Sequence, residues 1–249
     1  MSLNENELPA WQERTRLLLK DDAVCRLNAA RVLVIGLGGV GAYAAELICR
    51  AGVGTMTIVD GDVVAAANFN RQLPALGRTL GRNKAEVMAE RLRDINPHLA
   101  LTVLPEFLRD ERLIAILSGP FDYVVDAIDT LSPKVYLLAT CLKLGRRVVS
   151  SMGSGGKLDP GLVRIADISA TYQCRLAKAV RKRLHRMGIE QGFKVVFSPE
   201  EVPDEAVRTC ADEELDNQKS IVGTVSYMPA LFGCYCASVV IRDLVAARP

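Results

Sequence analysis

The chain carries almost no net charge: 31 Lys and Arg against 29 Asp and Glu leave +2 over 249 residues. Its overall field therefore steers no charged partner, and any nucleic-acid surface has to be a local patch. Cysteine offers no framework either. Cys25, Cys49, Cys141, Cys174, Cys210, Cys234 and Cys236 form an odd set without a repeating spacing, several inside apolar runs, as expected of reduced thiols in a cytosolic protein. The polar, acidic stretch Met1 to Pro9 lacks the cationic, apolar pattern of a secretory leader. The expected location is the cytoplasm. At this length an α/β chain can bury a sizeable core without disulfides or metals.

What the chain does have begins at Val32-Leu33-Val34-Ile35-Gly36-Leu37-Gly38-Gly39-Val40-Gly41, answered by Thr57-Ile58-Val59-Asp60. An apolar run ending in a G-x-G-x-x-G turn, then an Ala-rich helix and a second strand closing on a carboxylate, is a site for an adenine nucleotide. Gly36, Gly38, Gly39 and Gly41 let the backbone bend and approach phosphate, and the following helix offers free N–H groups to the anion. Asp60, 19 residues after Gly41, can bind ribose hydroxyls. NAD and ATP both remain open at this point.

Continuous apolar strands are expected at Arg31–Ile35, Thr55–Asp60, Leu101–Leu104, Tyr123–Ala127 and Arg147–Ser151. Helices are expected at Gly41–Ala51, Lys84–Ile95, Glu111–Leu117 and Pro133–Leu144. That alternation predicts a Rossmann-like, doubly wound, mostly parallel α/β sheet. Residues 1–30 read as an N-terminal helical segment, 31–160 as the nucleotide-binding core, and 161–249 as a C-terminal α/β extension of the same domain. The extension holds a crossover at 152–160, strands at Leu162–Ile168 and Lys194–Phe197 flanking a basic helix, and an aperiodic acidic loop over 198–220. Ile221 to Ile241 runs 21 residues without a charge, long enough to span a membrane. Gly223, Pro229 and Gly233 interrupt it, and the sheet needs a covering helix, so a buried or interface helix is preferred over membrane association.

Asn68-Phe69-Asn70-Arg71-Gln72 places amides and a guanidinium just after the ribose-binding strand, and Lys84 opens the next helix thirteen residues beyond Arg71. Hydride transfer needs room for a nicotinamide, whereas a forked and a point cation suit the roughly four negative charges of a triphosphate. Two solvated surface cations are the plain alternative. Asp126 and Asp129 stand at the C-terminal end of a strand, where open α/β sheets place ligands, and carboxylates there can hold Mg²⁺ against phosphates. Asp126 is open between metal binding and a cap or loop-ordering role for the helix begun by Ser132-Pro133. Asp129 is the expected metal ligand. Arg175, Lys178, Arg181, Lys182, Arg183, His185 and Arg186 crowd one helix within 12 residues; this is either a solvated face or a track for nucleic-acid phosphates.

The ordered set formed by the Gly36–Gly41 turn, Asp60, Asn70-Arg71-Gln72, Lys84-Ala85-Glu86, Asn96-Pro97 and Asp126–Asp129 resembles the ThiF/MoeB/HesA group, the superfamily of E1-like adenylating enzymes. The resemblance covers about Arg14 to Gly156. It implies that Asp60 binds the ATP ribose, that Arg71 and Lys84 hold the phosphates, and that Asp129 coordinates Mg²⁺. It also implies that Arg14 reaches the ATP site of the other subunit of a homodimer. Sulfur-carrier activators of this group usually carry two C-x-x-C pairs for zinc. This chain has none, and Cys234 and Cys236 would point to nearly opposite sides of a helix, so no zinc is expected.

Downstream, Ser154-Gly155-Gly156-Lys157-Leu158-Asp159-Pro160 and Val195-Val196-Phe197-Ser198 extend the likeness to the tRNA threonylcarbamoyladenosine dehydratase subgroup over nearly the whole chain. By that resemblance ATP adenylates the threonine-derived carboxylate of the modified adenosine (t6A) in tRNA, and a nitrogen of the same side chain closes a ring. A cysteine desulfurase system is a candidate partner. Many relatives have a cysteine shortly before the final apolar helix, where this chain has Asn217-Gln218-Lys219-Ser220; Cys210 lies nearby in a polar loop without a base beside it. Three other readings stand beside this one: E1-like adenylation of a ubiquitin-like sulfur carrier, an NAD-dependent oxidoreductase, and a non-catalytic nucleotide-responsive dimer or membrane-associated scaffold.

Overall fold

A computed structural model describes residues 9–209 and 220–246. Ahead of the sheet lie a 3-10 turn at Ala10–Gln12, helix α1 (Glu13–Leu19) and helix α2 (Asp21–Ala29), with Lys20 at φ 69° turning the chain between the helices. Strands β1 (Arg31–Ile35), β2 (Thr55–Val59), β3 (Ala100–Leu104), β4 (Tyr123–Asp126), β5 (Val148–Ser151), β6 (Arg164–Asp167) and β7 (Lys194–Phe197) form one sheet in the order β3-β2-β1-β4-β5-β7-β6. All pairings are parallel except β6 with β7.

The central strands β1, β2 and β4 are largely apolar because both faces are covered. Val32 and Val34 of β1 point into one core with helices α3 (Gly41–Arg50), α4 (Lys84–Ile95) and α8 (Tyr227–Val245). Leu33 and Ile35, one residue out of phase, point into a second core with α5 (Asp110–Leu117), α6 (Leu131–Lys143) and α7 (Arg175–His185). The period-two alternation of a strand thus feeds two layers at once.

The charge-free run at 221–241 divides in two. Its start belongs to β9 (Ser220–Val222), which pairs antiparallel with β8 (Val207–Thr209), so the stretch expected as a loop at 198–220 includes β8 and the first residue of β9. Only from Tyr227 does the chain become helical. This helix is long and apolar enough to cross a membrane by length and composition. Its i, i+4 stripe Met228, Phe232, Cys236 and Val240 is fully buried, each large apolar side chain contributing about 1.5–3 kcal/mol to the fold. Gly233 lets the helix lie against α3, because a methyl group there would come within 2.8 Å of the Tyr43 Cβ. Cys234 is exposed while Cys236 is buried, its thiol pushed up to about 12 by desolvation. The expectation for Cys210 lies outside the described residues.

Candidate active site

The chain passes from β1 outward through β2 to β3, then returns to place β4 on the other side of β1, which opens a crevice at the carboxyl ends of β1 and β4. Two backbone bonds shape it: Gly36 N–H to Val59 O (2.9 Å) and Ala127 N–H to Ile35 O (2.9 Å). Gly36 has φ +89°, and a side chain on it would meet Ala127 O at 2.8 Å. A methyl group on Gly41, the first residue of α3, would overlap Gly36 O. Gly38 faces the Gln72 amide, and Gly39 faces Arg71 and Pro229. The loop is shaped for a ligand that approaches backbone directly.

Asp60 follows β2 and is buried. One carboxylate oxygen accepts the Leu37 N–H (2.6 Å) and the other the Asp62 N–H (2.8 Å), so the acid braces the glycine loop and keeps lone pairs for ribose hydroxyls. Burial raises its proton affinity above the ordinary carboxylate value, against the Lys84 charge and the two N–H bonds. Lys84 begins α4, whose N-cap Asn83 accepts from Ala85 and Glu86 N–H. Only 5% exposed, Lys84 reaches Asp62 at 2.9 Å. It stands beside Asp60, where a phosphate would compete with Asp62 for its ammonium.

The amide-rich stretch divides its labour. Asn68 accepts the Ala65 N–H (3.0 Å) and closes the 3-10 turn at Ala66–Asn68. Asn70 donates to Thr224 O (3.0 Å), pinning the segment ahead of α8, and its oxygen accepts from Arg71 Nη1 (2.9 Å), which also bonds Ala67 O (2.9 Å). Arg71 is thereby aimed from two points. Gln72, quoted in the sequence motif but given no role there, is buried against the glycine loop with its Oε1 unpartnered.

The two acids after β4 part company. Asp126 is fully buried, in an ion pair with Lys134 and a hydrogen bond from Ser150, and its other oxygen accepts the Ile128 N–H (3.1 Å). It orders the loop instead of capping α6, which begins at Leu131 after Thr130. Lys134 also donates to Ser151 O (3.0 Å) and is itself fully buried. Sequence reasoning missed this lysine; the signal was a lone cation inside the apolar helix run. Asp129 is exposed at the mouth of the crevice. Among the described residues no group of three or more His, Cys, Asp or Glu is placed to hold a metal. Asp129 offers a single carboxylate, the kind of ligand Mg²⁺ takes alongside substrate phosphates.

Arg14 is exposed on α1. Gln12, just before it, donates to Asn28 (3.1 Å) and lies against Gly52, beyond the C-terminal end of α3. Ten helical residues, about 15 Å, separate that end from the glycine loop. The structure therefore gathers the glycine loop, Asp60, Lys84, Asn70, Arg71 and the Asp129 loop, and leaves Arg14 apart.

The crevice has a second wall. Gly156 N–H bonds Gly223 O (2.7 Å), Tyr227 donates to Leu158 O (2.7 Å), and the Glu200 carboxylate accepts from Leu158 and Asp159 N–H. Lys157 is buried with its ammonium on Glu200 O, and desolvation lowers its proton affinity. Beyond this crossover, α7 exposes Arg175, Lys178, Lys182, Arg183 and His185, with Arg186 exposed at its C-cap, while Arg181 is held by Thr171. Arg183 donates to Ser132 (2.6 Å) in the first turn of α6, three residues past Asp129. The basic face therefore borders the nucleotide crevice.

Residues 12–248 match a family model described as the ThiF family. The chain is 36% identical over 237 residues to the tRNA threonylcarbamoyladenosine dehydratase of Bacillus subtilis (strain 168), spanning 93% of each. It is also similar to crystal structures of the E. coli tRNA N6-threonylcarbamoyladenosine dehydratase TcdA in complex with ATP and with AMP. The TM-scores are 0.85 and 0.84 at 33% identity, covering 95% of this chain and 96% of those chains. A glycine loop braced by a buried acid, flanking cations and a matching family model over nearly all residues lead to one assignment: the chain belongs to the ThiF family.

Proposed function

We propose that this chain is an ATP-dependent tRNA threonylcarbamoyladenosine dehydratase. One observation carries the reading: Arg71 and Lys84, two cations fixed by their own hydrogen bonds, flank the glycine loop and its ribose acid where a triphosphate would lie. The relatives' ATP and AMP complexes support adenylyl transfer over hydride transfer.

The threonyl carboxylate of the modified adenosine attacks the α-phosphorus of ATP, and pyrophosphate leaves with the electrons of the broken P–O bond. Arg71 and Lys84 offset the charge that develops. Asp129 would hold Mg²⁺, which supplies Lewis-acid neutralisation of the phosphate oxygens. A nitrogen of the same side chain then attacks the activated carbonyl, a proton is lost and AMP departs. The net change in the nucleoside is loss of one water. Because both reacting groups belong to one molecule, proximity stands in for a protein nucleophile, with effective molarities of about 10⁵ M or more.

Arg14 completes the phosphate site in trans in a homodimer, a reading supported by its distance from the crevice of its own chain. The basic face of α7 follows the tRNA backbone, and the reaction takes place in the cytoplasm. The test is incubation with Mg-ATP and tRNA bearing threonylcarbamoyladenosine. AMP release and a nucleoside lighter by one water are expected by mass spectrometry. An unchanged nucleoside alongside an adenylated carrier protein would overturn the assignment.

A further inference from the structure

An exposed tyrosine is unremarkable on a protein surface, but Tyr172 combines three properties. The residue is 48% exposed and its ring is fixed, packed edge-to-face with the Phe197 ring at 5.7 Å and 77°. Its neighbours are anchored: Thr171 is buried and donates to Ile168 O (2.8 Å), Gln173 takes φ 53°, and Cys174 is buried. The side chain is displayed on a rigid turn and loses little freedom on contact.

Its position is equally specific. Phe197 ends β7 at the carboxyl edge of the sheet, the edge that carries Asp60 and Asp129. Met152 N–H bonds Val196 O (2.8 Å), and Leu176 lies 3.8 Å from where a Gly153 side chain would begin. Tyr172 therefore borders the crossover that walls the nucleotide crevice. Third, it heads the basic helix, with Arg175 and Lys178 exposed just beyond it. Unpaired RNA is read by aromatic faces interleaved with cations, the rings taking bases while the cations take phosphates.

We propose that Tyr172 is a stacking platform for an unpaired base of the substrate's anticodon loop, next to the base that enters the crevice. This rests on the tRNA reading above. The ring reads a π-face without hydrogen-bonding its edge, so it favours a splayed single strand over a duplex and tolerates sequence change.

The experiment uses an anticodon stem-loop bearing threonylcarbamoyladenosine, with 2-aminopurine at a neighbouring loop position, and the full chain with Mg-ATP. Tyr172→Ala is expected to raise KM for the stem-loop about tenfold or more, to leave kcat at saturating RNA and ATP affinity unchanged, and to abolish the fluorescence quench on binding. Tyr172→Phe keeps the ring and wild-type behaviour. The salt dependence of KM separates stacking from charge: Tyr172→Ala keeps the wild-type slope, whereas Lys182→Ala lowers it by about one. Wild-type KM and quench in Tyr172→Ala would overturn the platform, as would equal losses in the Phe variant or a partner protein's acidic segment, not RNA, depending on Tyr172. If the wild type binds and quenches the stem-loop but releases no AMP, the dehydratase reading fails and the platform stands.

Discussion

On the nucleotide side of the crevice, Asp60 and Lys84 are at most 8% exposed, Asp60 held by the Leu37 and Asp62 N–H groups and Lys84 by the Asp62 carboxylate. On the side of the basic helix, Arg175 pairs with Asp204 through side chains 65% and 93% exposed. The first arrangement holds its charges in one geometry; the second is worth about 0–1 kcal/mol and yields to any stronger anion. Under the proposed function, Asp60 and Lys84 face the nucleotide from fixed positions, while the groups that would follow a large, variable polyanion stay solvated. Chemistry sits on strand ends and recognition on loops and an exposed helix face.

The sharpest way to break that comparison is to remove one charge from each side. Arg71→Ala and Asp129→Ala should each cost about 10²–10³ or more in kcat with unchanged far-ultraviolet circular dichroism. Lys182→Ala should leave kcat alone and raise KM for tRNA a few-fold, less as salt increases. AMP release at saturating tRNA distinguishes the two. Equal kcat losses on both sides would mean that the basic helix takes part in the chemistry.

A second contrast concerns the buried lysines. Lys134 neutralises Asp126 with both side chains fully buried, so Lys134→Met strands a carboxylate and should cost about 3–5 kcal/mol in urea unfolding, much of it recovered when Asp126 is also made apolar. Lys157 meets a backbone oxygen and no carboxylate in that bond. Lys157→Met should cost less, about 1.5–3 kcal/mol. A larger loss at Lys157 would show the crossover to be as rigid a part of the machine as the sheet.

Much of the sheet was legible because its central strands are apolar runs, β1 and β2 ended by Gly36 and Asp60; α4 and β7 begin and end at the expected residues. The Gly36–Gly41 loop and Asp60 meet for the same local reason. The facing of Asp126 and Asp129 was not legible. Three residues apart, they differ because Lys134 and Ser150 turn one of them inward, and Ser150 comes from another strand. Likewise β8 and β9 pair across an intervening segment, a long-range choice that short polar stretches do not announce. Tyr172 drew no notice in the sequence because its significance lies in Phe197, 25 residues on.

The smallest expected effect lies at the opposite edge of the sheet from both walls. Asp243 on α8 accepts from Lys194 (2.7 Å), at the start of β7, and from Tyr123 (2.9 Å), at the start of β4, with Arg147 over the Tyr123 ring at 4.9 Å. Burial pushes the Asp243 carboxyl up, but the lysine and tyrosine hydrogen bonds and the neighbouring cations outweigh it and hold the group below its ordinary value. A carboxylate depressed in the folded state stabilises above its unfolded pKa of about 3.9, and that contribution is lost as pH falls through the folded value. Asp243→Asn should therefore lower stability slightly at pH 7, by about 1 kcal/mol or less, and flatten the acid limb of the urea-unfolding profile. Because this seam joins α8 to strand starts, KM for ATP and for tRNA should stay at wild-type values. A parallel shift in either KM would mean that α8 transmits strain from the amino edge to Pro229 and the glycine loop it touches, and the two walls would then share a single support.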